Sequence, residues 1–384
     1  MLKLNYFNGQ LSQGFVALFS GRMIQFASMG LIGLFLPIFL FLKFDYNVIH
    51  VYLFSLVGHL AYALILPYGA RFLNRIGLKK SLQISVFFDA AFYIFIYFID
   101  RNPVLFISLS LVSIVLARLF FWIPYHTEFA KFTKRDDRGK EYSLMEATKG
   151  FLDVLMPLAA GLLIGFFGFK SVFLISIALL LSSSIPFLAL ADADEKFSWG
   201  YLETFKNFFS KENRKIVLAN MANGAENVVG VIIWPIFIWE ILNGNYFAVG
   251  SLSSLIVLVT IILQLSVGKY TDLLDKRKMI RFGSFLYAAG WLLKMFVLTA
   301  FQIFLAGTYH SLVQIFKNTP FDVLNYQLMA DHGHYVDEYT VIKELAIQFG
   351  KVLMLIFAII ITLLFGMSWT FALAALASLF INLL

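Results

Sequence analysis

Apolar runs long enough to cross a bilayer recur from one end of the chain to the other, each closed by a short polar break. A hydrocarbon core about 30 Å thick takes roughly 20 apolar residues per helix. On that measure the pattern predicts twelve helical spans. Six fall at 13–42, 49–72, 80–99, 103–130, 141–167 and 170–191, and six at 214–241, 246–270, 278–299, 301–330, 338–365 and 367–384. Several exceed the bilayer thickness and are expected to tilt. The first run, Phe15 to Leu42, is too long for the core of a cleavable signal, and no small-residue cleavage site follows it, so it reads as a retained helix. The longest polar break, Asp192 to Lys215, holds an amphipathic stretch around Trp199–Phe209 and reads as a linker along the membrane surface. The expected organisation is a first half over 1–191, a linker over 192–213 and a second half over 214–384.

The pattern is also written twice. Leu36-Pro37-Ile38-Phe39 returns as Trp234-Pro235-Ile236-Phe237, and the segment from Ala70 to Lys80 returns from Gly268 to Lys278. Pro124 returns as Pro320, and Glu141-Tyr142 as Glu338-Tyr339. The offsets are 198, 198, 196 and 197, and this near-constant register outweighs any single match. Parallel repeats in so apolar a chain point to a transporter whose site lies between its halves.

Composition fits the same class. Hydrophobic residues make up 60% of the chain, charged residues only 14%, and mean hydropathy is +0.81. A soluble domain carries about a quarter charged residues, so water is not the main solvent here. The absence of cysteine excludes disulfides and thiolate metal sites. The net charge of +7 is placed as a topology signal and not as a nucleic-acid footprint. Twenty Lys and Arg residues fall in one alternating set of breaks, and only Lys43, Arg101 and Lys170 in the other. The positive-inside rule then puts both termini in the cytoplasm of a multi-pass protein of the cell membrane.

Two sets of six spans, a long central loop and a short basic motif after the second and eighth spans resemble the major facilitator superfamily along the whole chain. In loose form that family's loop motif is Gly-x-x-x-Asp-Arg-x-Gly-Arg-Lys-Lys. The first copy keeps Arg75, Gly77, Lys79 and Lys80, with Ala70 and Asn74 where Gly and Asp are usual. The second keeps Gly268, Asp272, Arg277 and Lys278. The resemblance implies an all-α membrane protein with twelve transmembrane helices in two pseudo-symmetric six-helix bundles. It implies alternating access as a monomer, without cofactor or enzymatic activity. It also implies a cytoplasmic latch at this loop, held by Asp272 in the second copy. Asn74 bonds without charge, so the first latch is expected to be weaker; the alternative is that the Lys and Arg set topology alone. Asp137-Arg138-Gly139 before the fifth span is also family-like. The glycine-dense Gly-Pro signature of drug antiporters is largely absent from that span, and its Gly150, Pro157, Gly161 and Gly165 read as close helix packing.

An ionisable group inside a membrane helix faces a cavity or a partner by default. Helical spacing groups Arg22 with Gln25, Arg118 with Trp122 and Tyr125, and Ser55 with His59 and Tyr62. It also groups Lys149 with Glu146 and Asp153, Asn223 with Asn220 and Asn227, Lys317 with His310 and Gln314, and Lys351 with Glu344 and Gln348. Arg22, Arg118, Asp153, Glu226, Lys317 and Lys351 fall near the bilayer middle. The resemblance implies that the helices bearing them line the cavity, whereas Asp89 and Lys294 lie on peripheral helices and read as structural. His59 and His310 read as satisfied core histidines. The expected substrate site is Arg22, Gln25, Arg118, Trp122, Lys149, Asn223, Gln314, Lys317 and Lys351. Pairing of Lys149 with Asp153 would still leave four bases against Glu226. An unpaired buried cation is costly, so this surplus favours a small anionic solute. Burial raises a carboxylate pKa and a nearby base lowers it, which makes Glu226 and Asp153 the candidates for coupling to protons.

Two other readings stay open. Trp122, Trp234 and Trp239 would suit a broad exporter of lipophilic or cationic compounds. A membrane scaffold or receptor that kept the fold and lost transport is the third. No phosphate-binding loop is present in the sequence, so direct ATP drive is not expected.

Overall fold

The computed structural model describes residues 12–132, 138–190, 197–271, 276–330 and 336–383. Among the described residues the chain is helical throughout, with no strand. The first predicted span is two helices, α1 (Gln13–Gly33) and α2 (Leu36–Lys43). Then come α3 (Val48–Ile76), α4 (Leu78–Tyr97), α5 (Pro103–Phe132), α6 (Arg138–Phe167) and α7 (Phe169–Phe187). A short amphipathic helix, α8 (Tyr201–Phe208), lies in the predicted linker. The later elements are α9 (Arg214–Val228), α10 (Trp234–Ile241), α11 (Tyr246–Thr271), α12 (Lys276–Met295), α13 (Ala300–Ala330), α14 (Val336–Phe365) and α15 (Thr370–Phe380).

Local chemistry explains the breaks. Ser12 accepts from the Phe15 N–H at 3.0 Å to start α1, and Asn47 accepts from the Ile49 N–H at 3.0 Å to start α3. Pro37 has no N–H, and its ring crowds the carbonyl four residues back, so α1 and α2 separate just before it. Its repeat, Pro235, follows a π turn over Val229–Ile233 that interrupts the corresponding span. The backbone carries the repeat further. Positive φ occurs at Asp45 and Tyr46 and again at Asn243 and Gly244; it occurs at Gly168 before α7 and again at Gly366 before α15. Each pair is 198 residues apart, so the two halves turn in the same way at the same places.

Eight of the described helices or helix pairs are long and apolar enough to cross a membrane, which makes the chain an integral multi-pass protein. The third, ninth, tenth and twelfth predicted spans fall outside that set. They correspond to α4, α12 and α13, which carry charges or amides along their length, and to the short α15. Within 12–190, α1 packs on α6 and α7, and α4 on α5 and α7. Within 214–383, α9 packs on α14 and α15, and α12 on α13 and α15. Between these sets, α3 meets α14 and α6 meets α11. The second contact depends on glycine: a Cβ on Gly161 would lie 2.6 Å from the Tyr246 carbonyl oxygen, and one on Gly250 2.3 Å from that of Pro157. Small residues let the two backbones touch, as expected for the fifth span.

Candidate functional site

A cavity of about 630 Å³ lies where α1, α3, α4 and α5 face α9, α13 and α14. Of the residues expected to bind substrate, Arg22, Gln25, Arg118, Trp122, Asn223 and Lys351 line it, and Lys149, Gln314 and Lys317 do not.

Arg22 is 4% exposed and held in an aromatic box. Its guanidinium carbon lies 4.1 Å from the Phe26 ring centre, 4.6 Å from Phe121 and 4.8 Å from Tyr125. The electron-rich ring faces stabilise the cation without neutralising it. Nη1 donates to Gln25 Oε1 at 3.4 Å, while Nε has no hydrogen-bond partner among the described residues. Arg118 Nη1 lies 3.2 Å from His59 Nδ1, and the same nitrogen lies 2.6 Å from Gln348 Oε1 on α14. One ring nitrogen cannot accept from Arg118 and donate to Gln348 at once, so the His59 tautomer selects between a bond within the first half and a bond across the cavity. Gln348 Nε2 donates onward to Glu344 at 3.4 Å. His59 is therefore a satisfied buried histidine, as the sequence reading had it, and its partners make it part of a polar bridge between halves. The i, i+4, i+7 stripe of Glu344, Gln348 and Lys351 carried the signal for its α14 partners.

Asp89 also lines the cavity and interacts electrostatically with both arginines, although its helix was expected to be peripheral. The wall carries Arg22, Arg118, Lys343 and Lys351 against Asp89, Asp322 and Glu344, a surplus of one positive charge and smaller than expected.

Lys317 and Glu226 stand apart from this wall. Lys317 is fully buried, and its Nζ donates to Glu226 Oε1 at 2.6 Å and to Asn223 Oδ1 at 3.1 Å. The Tyr287 hydroxyl donates to Glu226 Oε2 at 2.8 Å, and the Lys317 ammonium lies 4.5 Å from the Tyr287 ring centre. Asn223 alone of this cluster reaches the cavity. Lys149 and Asp153 pair with each other at 3.4 Å on a partly exposed face of α6.

At the end of α3, the Asn74 amide both donates to the Phe197 carbonyl, at 2.8 Å, and accepts from the Phe197 N–H, at 2.9 Å. Glu338 at the start of α14 accepts from the next residue, Ser198, through its N–H at 3.0 Å and its hydroxyl at 2.5 Å. The chain entering α8 is thus fastened to both halves. Arg75 is exposed, and Gly77, with φ of 85°, ends α3. Gly268 falls in α11, and Asp272 lies outside the described residues.

The sequence profile of the Major Facilitator Superfamily matches residues 18–220. The chain belongs to that family, and it is a membrane transporter and not an enzyme. No curated protein matches it in sequence. A solved structure of the peptide transporter POT in complex with sulfate is similar in fold, with a TM-score of 0.72 at 11% identity, over 97% of this chain and 93% of that one.

Proposed function

We propose that the chain is a secondary transporter that moves a small organic anion by alternating access. Two six-helix bundles, 1–191 and 214–384, rock about the cavity, with 192–213 as a cytoplasmic linker and both termini cytoplasmic. The repeated turns 198 residues apart support two equivalent bundles. The anion reading rests on one observation above the others. Arg22 and Arg118 stand on the cavity wall, and among the described residues neither makes an ion pair. An arginine on a cavity wall with no acid in ion-pair contact can hold a carboxylate or phosphate, which its planar fork fits in two-point contact.

The Glu226–Lys317 pair is the coupling element of this proposal. A proton arriving on Glu226 removes the counter-charge of Lys317 and loosens α9 from α13. Asp153, already paired on an exposed face, is the weaker candidate. Asn74 of the first half and Glu338 of the second, by gripping Phe197 and Ser198, form a latch between the halves.

Flux into liposomes holding the purified monomer tests the reading. Uptake of small carboxylates or phosphates is expected, and a thermal-shift screen should pick out anions. The three wall carboxylates, Asp89, Asp322 and Glu344, favour the exporter of cations as second reading. A screen answered by cations alone would replace the first reading with it, and absence of any flux would favour the scaffold. A tag after Asp45 should be labelled from outside intact cells; labelling only after permeabilisation would reverse the orientation.

A further inference from the structure

The cavity wall changes character along its length on most of the helices that line it, although Phe121 and Trp122 follow Arg118 on α5 and the α14 lining stays polar as far as Lys351. On α1, Arg22 and Gln25 come before the apolar Met29, with Leu36 and Leu40 continuing along α2. On α9, Asn223 and Asn227 come before Val231 and Ile232 of the following turn. On α4, Asp89 comes before Phe92. The short connections make successive spans antiparallel, so α3 and α5 should show the reverse order. They do: Val51 and Phe54 come before His59, and Leu111 and Ile114 come before Arg118. Polar groups thus gather at one end, and the end nearest the α2–α3 turn is apolar. At 1.5 Å per residue the apolar stretch reaches about 10 Å beyond Arg118.

Lipid contact does not explain this gradient, because these side chains line an internal cavity large enough for a drug-sized molecule. Val231 and Met29 are 52% and 39% exposed, so their apolar surface stays uncovered by protein. A cavity with arginines and a net charge of plus one at its polar end, and an uncovered apolar end, fits a ligand of the same design. We propose that the transported solute is an amphipathic organic anion, its acidic group held by Arg22, Arg118 and Lys351 and its hydrocarbon or aromatic body lying toward Leu36, Phe54 and Val231. This deepens the anion reading above and rests on it. The hydrophobic end contributes affinity in proportion to the area removed from water, and the arginines fix the orientation.

The test is a binding series on the full-length purified protein in nanodiscs, using the linear carboxylates from acetate to decanoate. Affinity should rise about fourfold per added methylene until the apolar end is filled, and then level off. The double variant Met29→Gln/Val231→Thr should keep acetate binding and flatten the rise; both positions are exposed, so the fold tolerates the change. Arg118→Ala should weaken every member of the series by roughly ten- to hundred-fold. If wild type binds acetate and decanoate equally, the amphipathic inference is overturned and the anion reading stands. If no carboxylate binds at any length, the anion reading falls with it. If Arg118→Ala binds every member of the series as tightly as wild type does, the slope is lipophilic partitioning and the inference is overturned.

Discussion

Arg118 and Lys317 look alike in sequence. Each is a base near the middle of a long helix, α5 or α13, a few residues before a proline that repeats between the halves. The structure separates them. Arg118 lies on the cavity wall with His59 as its neighbour, while Lys317 is sealed with Glu226, Asn223 and Tyr287. Matching the repeat positions shows why. Arg22 answers to Asn220 and Arg118 to Gln314, while Glu226 answers to Ser28 and Lys317 to Phe121. Asn220 closes on Asn325 at 2.9 Å, whereas Arg22 lines the cavity among aromatic rings. The halves share a backbone frame, and their charges occupy different places in it. Arg22 and Arg118 of the first half line the cavity, as do Lys343 and Lys351 of the second, while Lys317 is used up in a buried pair with Glu226.

The largest effect expected from this contrast is on stability. Glu226→Ala leaves Lys317 buried without a counter-charge, which costs about 3–5 kcal/mol. Thermal unfolding in detergent should show a large loss. The double variant Glu226→Leu/Lys317→Met should recover most of it, because both charges leave together. An unchanged melting temperature in the single variant would show that the pair is not sealed.

Arg118→Ala should do the reverse. A hydrogen bond to a charged group is worth about 1.5–3 kcal/mol, or roughly ten- to hundred-fold in affinity. Anion binding should fall by that amount while unfolding barely moves. Arg118→Lys keeps the charge and loses the fork, so it should fall between. A large drop in stability with binding intact would exchange the roles assigned to Arg118 and Lys317.

Asn74→Asp comes next. Sequence logic would have the acid strengthen the first latch, since the family motif carries Asp there. In the structure the Asn74 amide must donate to the Phe197 carbonyl, and a carboxylate would face that oxygen with nothing to give. The substitution should therefore weaken the grip by about 1–3 kcal/mol. Distance measurements between labels on the latch ends of α3 and α14 should lengthen; shortening would restore the sequence expectation.

The smallest effect is expected at Lys149. Its bond to Asp153 links neighbouring turns of one helix, with about a third of the lysine and more of the acid exposed. Such pairs contribute roughly 0.3–0.5 kcal/mol, so Lys149→Ala should change neither unfolding nor transport beyond that scale.

The sequence by itself determined the helical class, the positions of the helices to within a few residues, the repeat, and the Lys149–Asp153 pair within α6. Those features are local: hydrophobic runs, prolines, glycines and i, i+4 spacing act along one stretch of chain. It also marked six residues of the cavity wall, because a charge or amide placed amid apolar residues has few other places to face. Only the tertiary structure decided which of the marked charges are open and which are closed. Glu226 and Lys317 meet across 91 residues, and Asn74 finds Phe197 across 123, so no spacing rule connects them. Asp89 and His59 join the cavity for the same reason, since their exposure is set by the neighbouring helices and not by the helix that carries them.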